Sequence, residues 1–269
     1  MKRPSIIGIA LAAGVFAFVW TLHSQAPLTP ARQPQYLGAG GPAHAGSART
    51  ARVQEVITGE PITLEQLEAL AREDQHNWVV WQELAQRRMW AGQADAQNAW
   101  QQVVKIHELE RSEARSGLML AAAVAHRELG DEEHARELFE RLRVFLLERA
   151  RSDGLRLRQS WYRLGRACAY LADEAGAKYA WERASEIAAA DPSGDPVARF
   201  DLACYRSLLG DQEGGLDALR GAASHGFADV TLAVNHEDLS LVRKHPGFAE
   251  IIARMNENVG RGRRGRTIH

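Results

Sequence analysis

Between Trp161 and Ala184 the chain alternates wide and very small residues at intervals suited to two packed helices: Trp161, Leu164 and Gly165, then Ala177, Trp181 and Ala184. Residues four and three apart lie on one helix face, so Ala177, Trp181 and Ala184 form a single stripe, and a wide side chain can enter where the facing helix offers only a hydrogen or a methyl group. This predicts a helical hairpin over 161–184 held by close packing. It also argues for a scaffold, because none of these residues is a chemical group of the kind catalysis needs.

The same order of residues returns along the chain. One pair has Trp81, Leu84, Ala85 and Gly92, followed by Ala96, Trp100 and Val103, with its second half one residue out of register. The next has Met119, Ala122, Ala123, Gly130, Ala135 and Phe139, where Gly130 ends one helix and Asp131 can cap the following one. The pair at 161–184 carries Ala172 where a turn glycine is expected, and a fourth runs through Phe200, Leu202, Ala203, Gly210, Leu219 and Ala222. Upstream, Thr63 and Gln66 form a candidate capping box ahead of the stripe Leu64, Leu67, Leu70. No strand pattern interrupts the stretch from there to Met255.

These residues resemble the tetratricopeptide repeat (TPR) family over roughly residues 77–224. The resemblance implies an all-α, TPR-type α-solenoid of about four helix pairs plus C-terminal closing helices within residues 61–258. It further implies a right-handed superhelix with a concave groove lined mainly by the first helix of each pair. His225-Gly226-Phe227, Asp238-Leu239, His245-Pro246 and Phe248 are similar to the segment that closes such arrays, which implies a last helix after Pro246 capping the fourth pair.

Carried over by position, the family's groove falls on Gln82, Gln86, Met89 and Trp90, on Leu120, Val124 and Arg127, and on Gln159, Tyr162, Arg166 and Tyr170. The partner-binding set expected from these is Gln86, Met89, Trp90, Arg127, Tyr162, Arg166 and Tyr170, exposed on one face. Flat aromatic area combined with guanidinium forks suits an extended peptide that carries a carboxylate. The competing reading is that the arginines simply solvate an open helix face. Trp81, Trp100, Trp161 and Trp181 occupy anchor positions and are expected in the core, whereas Trp78 and Trp90 do not. Gln82 and Gln86 stand where the family's chaperone-tail clamp places lysine and asparagine, so binding of that tail is not implied.

The N-terminus bears on location. Lys2 and Arg3 precede an uncharged run from Ile6 to Leu22, longer than a usual signal-peptide core and slightly short for a comfortable span. Trp20 suits an uncleaved anchor, Ser24-Gln25-Ala26 suits a cleavage site, and a buried core helix is the third reading. In the first two cases Lys2 and Arg3 stay inside and the rest is exported. The expected domains are an anchor or signal at 1–22, a flexible Pro/Gly-rich linker at 23–60, the repeat domain at 61–258 and a basic, disordered tail at 259–269.

A formal charge of −1 predicts no general attraction to nucleic acid, and no nucleic-acid partner or small-molecule substrate is expected. The arginines of the tail could still act locally on anionic lipid or nucleic acid. Gly260-Arg261-Gly262-Arg263-Arg264-Gly265 matches a dinucleotide fingerprint in letters but ends the chain instead of linking a strand to a helix. Cys168 and Cys204 fall on apolar helix faces, where a bridge is open but a small-hydrophobe role is the better reading. Ten histidines show no ligand spacing, with His126 and His134 on different helices of one hairpin, so no metal, cofactor or catalytic site is expected. The function expected is a non-enzymatic protein- or peptide-binding scaffold at the outer face of a bacterial inner membrane, or secreted to the periplasm if cleaved, helping to assemble an envelope complex. An accessory or regulatory subunit of an envelope enzyme, for example in cytochrome maturation, secretion or pilus assembly, is the alternative.

Overall fold

The computed structural model describes residues 62–110, 115–152 and 157–265. The candidate anchor at 1–22 and the linker at 23–60 lie outside the described residues, among which no helix is long and apolar enough to cross a membrane. Every regular element described is helical. A lead helix α1 (Leu64–Glu73) precedes four hairpins: α2 (Trp78–Trp90) with α3 (Ala96–Glu110), α4 (Ser116–Glu128) with α5 (Glu132–Ser152), α6 (Arg158–Tyr170) with α7 (Glu174–Ala189), and α8 (Pro196–Leu208) with α9 (Gln212–Ser224). A short α10 (Val230–Asn235), 3-10 turns at Glu237–Leu239 and Val242–Lys244, and α11 (Phe248–Gly265) follow. Each helix from α1 to α9 packs on the next, so the all-α array of stacked helix pairs expected from the sequence is present.

All four hairpins turn by one device. The residue after the C-cap of each first helix takes a left-handed backbone: Gly92 (φ 66°), Gly130 (81°), Ala172 (60°) and Gly210 (83°). The next amide then reaches back over the last helical turn, Gln93 to the Arg88 carbonyl at 2.9 Å, Asp131 to His126 at 2.8 Å, Asp173 to Cys168 at 2.8 Å and Asp211 to Arg206 at 2.9 Å. Ala172 thus adopts the glycine conformation at a cost of about 1–2 kcal/mol. In the last three hairpins an aspartate caps the second helix, most tightly where Asp173 and Asp211 accept from the Gly176 and Gly214 amides, each at 2.9 Å. The first hairpin has Gln93 there, and Ala96 is its first buried small residue, one position earlier than Ala135 or Ala177. That is the register slip seen in the sequence. Ahead of the array, the capping box is formed, with Gln66 Oε1 accepting from the Thr63 amide at 2.8 Å.

Close packing of a large side chain on a glycine is clear in the third hairpin. A Cβ placed on Gly165 would lie 2.3 Å from Trp181 Nε1, so only glycine fits beneath that indole. Trp100 and Trp161 are buried, while Trp81 and Trp181 are partly buried against the two core clusters. Cys168 and Cys204 are buried and unbridged. Burial pushes the Cys168 thiol up to about 11 and Cys204 well above its ordinary value, which leaves both as inert small hydrophobes.

The closing segment does more than cap. Ile251 and Met255 of α11 are buried in the core that α9 shares, and Asn258 Nδ2 donates to the Ala223 carbonyl at 2.7 Å, as expected of a closing helix. However, α11 continues to Gly265, beyond Val259 where the tail was expected to begin. The stretch before it, from Asp229 to Leu239, turns instead onto the face formed by the first helices.

Candidate functional site: a groove shared with the closing segment

Helix α4 packs against α2 on one side and α6 on the other, so the first helices of three hairpins form one face. The closing segment is fastened to that face by carboxylates. Asp229 Oδ2 accepts from Arg87 Nη2 at 2.5 Å, both side chains being about 95% buried, with Arg87 also donating to Glu83 Oε1 at 2.6 Å and to the Ile62 carbonyl at 3.1 Å. Further along, Asp238 accepts from the Tyr162 hydroxyl and from Arg166 Nη1, each at 2.7 Å, while Arg166 Nη2 donates to Glu237. His236 sets its ring edge against Phe200, with centroids 5.8 Å apart. Burial and the neighbouring Asp238 push the Tyr162 hydroxyl well above its ordinary value. Burial alone would lower Arg166, but Tyr162, Asp238 and Glu237 outweigh it and hold the guanidinium charged.

Two openings of about 230 Å³ each remain on either side of the seated turn. One is lined by Gln86, Met89, Trp90, Val124 and Arg127, and the other by Trp78, Gly117, Arg163, Phe200 and Tyr205. They share Gln82, Leu120, Tyr162 and His236 in their walls and so lie side by side along one channel-like face. Its character is amphipathic: indole and thioether surface beside side-chain amides, which can donate and accept at once.

The seven residues expected to bind a partner divide accordingly. Gln86, Met89, Trp90 and Arg127 line the channel, Arg127 with its guanidinium on Glu128 at 2.5 Å. Tyr162 and Arg166 line it as well, but Arg166 is not the free, exposed fork expected: its side chain is 14% exposed and engaged by this chain's own Asp238 and Glu237. The carboxylate chemistry was legible; its source, some seventy positions away, was not. Tyr170 lies outside the channel lining, stacks on Phe139 at 4.1 Å and donates to Glu132. Arg163 was not anticipated. It donates to Ser116 Oγ at 3.1 Å, has no carboxylate partner among the described residues, and burial pulls its pKa below the ordinary arginine value.

The histidine expectation needs a correction. Although His126 and His134 sit on different helices, the tight turn at Gly130 folds them together, with Nδ1 of each 2.9 Å from the Asp131 carboxylate and their rings stacked at 5.2 Å. Sequence spacing hid this because the left-handed turn, not helical periodicity, sets the distance.

No protein-family model matches the chain, and no curated protein matches it. Among solved structures it is similar to the nearly identical TPR-like repeats of a Podosopora anserina protein assigned as a kinesin light chain, at 19% identity over 71% of this chain and 99% of that one, with a TM-score of 0.36. It is similar also to YrrB, a TPR protein with an unusual peptide-binding site, at 13% identity over 77% and 100% of the two chains and a TM-score of 0.30, and to MamA, at 13% identity over 70% and 91% and a TM-score of 0.27.

Proposed function

We propose that this chain is a non-enzymatic scaffold that holds a segment of a protein partner in the channel beside its closing segment. The observation that carries the reading is the channel itself. Its α2 wall offers Met89, 37% exposed, and Trp90 with Gln82 and Gln86 one turn apart, so an extended peptide finds apolar anchors together with amides able to pair with its backbone. The apolar run Ile6–Leu22 behind Lys2 and Arg3 supports placing this scaffold at the outer face of a bacterial inner membrane, where it would help assemble an envelope complex.

The binding claim is tested by introducing a photo-crosslinking residue at Met89, and separately at Val144, which is exposed on α5 away from the channel. A partner crosslinked from position 89 should lose about 1–3 kcal/mol of affinity when Trp90 is changed to alanine, with helicity unchanged. Crosslinking only from position 144, or full affinity in Trp90→Ala, would contradict it. Export is tested by a C-terminal alkaline-phosphatase fusion, which should be active; an inactive fusion would contradict the envelope location.

A further inference from the structure

We infer that His126, Asp131 and His134 form a binding site for one divalent transition-metal ion, of the class of Zn²⁺, at the turn of the second hairpin. The four hairpins share one turn geometry, and the third and fourth, which also carry the turn aspartate, serve as internal controls. In the third and fourth, the position of His134 is taken by Gly176 and Gly214, and a Cβ there would lie 2.4 Å from Asp173 Oδ2 and 2.1 Å from Asp211 Oδ2. Those aspartates close down on glycine and cap their helices at 2.9 Å. Asp131 caps more loosely, with the His134 amide 3.3 Å from Oδ1, and its carboxylate faces two imidazoles instead. Where His126 stands, the third and fourth hairpins have Cys168 and Arg206, neither joined to an imidazole by the turn aspartate. Capping therefore does not require the imidazoles.

Ligand atoms from the three residues all lie within 4.8 Å of one another. Nitrogen and oxygen ligands bind Zn²⁺ at about 2.0–2.2 Å, which puts neighbouring ligand atoms about 3.3 Å apart in a tetrahedron, so the 2.9 Å Nδ1–carboxylate contacts must open slightly and the ligand atoms that lie further apart must draw in. His134, with a side chain 62% exposed, can turn to accommodate the ion, and the outer side remains accessible for water as a fourth ligand. Two imidazoles with one carboxylate favour zinc, nickel or copper over calcium or magnesium, which prefer all-oxygen shells. Bound there, the ion would tie the last turn of α4 to the first turn of α5.

The test uses the full chain, free of affinity tags, titrated calorimetrically with Zn²⁺, alongside His134→Ala and Asp131→Asn. Asparagine still caps a helix, so Asp131→Asn removes the anionic ligand while keeping the turn. The wild type should bind one equivalent at this site and gain melting temperature with the ion, and each variant should bind at least about tenfold more weakly and lose that gain. His134→Ala, on an exposed side chain, should keep wild-type helicity. Absence of saturable binding to the wild type, or equal binding by both variants, would overturn the site.

Discussion

The interior of the third hairpin is held by an apolar contact between neighbours in the chain, and the face of the first helices by ion pairs that reach across it. Inside the hairpin, Trp181 lies over Gly165, so the contact is made by elements adjacent in the chain and leaves a spacing behind it. On the first-helix face, Arg87 and Arg166 are satisfied by Asp229, Glu237 and Asp238 from the far end of the chain, and no spacing announces the pairing. An arginine on a repeat's open face is therefore no sign of an external ligand when the chain carries its own carboxylates to that face. The stretch those carboxylates leave uncovered lies around Trp90, Met89 and Gln86, where the proposed partner segment would sit.

This contrast is broken most severely at Asp229. Removing it leaves the buried Arg87 guanidinium with only Glu83 and the Ile62 carbonyl and also removes the α10 cap, in which Asp229 accepts from the Leu232 amide at 2.9 Å, so Asp229→Ala should cost about 2–4 kcal/mol in chemical denaturation. A cost below about 1 kcal/mol would mean the closing segment is not fastened there. Next comes the hairpin interior: Gly165→Leu must displace Trp181 and should destabilise by about 1–3 kcal/mol, a loss that a wild-type melting temperature would refute. Smallest, and of opposite sign, is Ala172→Gly. Relief of the left-handed strain outweighs the extra flexibility of the unfolded glycine, for a gain of about 0.5 kcal/mol, whereas a loss would show that Ala172 is unstrained.

Most of the fold was legible because its determinants are short-range. Gly92, Gly130 and Gly210 mark left-handed turns, Thr63 with Gln66 marks a helix start, and even the slipped register of the first hairpin showed as Ala96 standing one place early. The site was legible only in part. Gln86, Met89, Trp90 and Arg127 could be placed by repeat position, but the occupation of Arg166 depends on a chain reversal after Phe227 that no periodicity encodes. Arg163 was overlooked for a related reason: its lack of a carboxylate partner among the described residues is a property of the folded surroundings, visible only once Asp201 is seen paired with Arg158 at 2.9 Å and Asp238 with Arg166. The His126–Asp131–His134 cluster escaped because helical spacing is the wrong ruler across a tight turn.

The seating of the closing segment on the first-helix face is tested most directly by a double-mutant cycle on Arg166 and Asp238, comparing the unfolding free energies of Arg166→Ala, Asp238→Ala and the double variant with the wild type. Partners at 2.7 Å, with Asp238 only 2% exposed, should show a coupling energy of about 1–3 kcal/mol, the double variant being less destabilised than the sum of the single ones. Additivity within about 0.5 kcal/mol would contradict the account, since two residues that do not touch have no energy in common to lose.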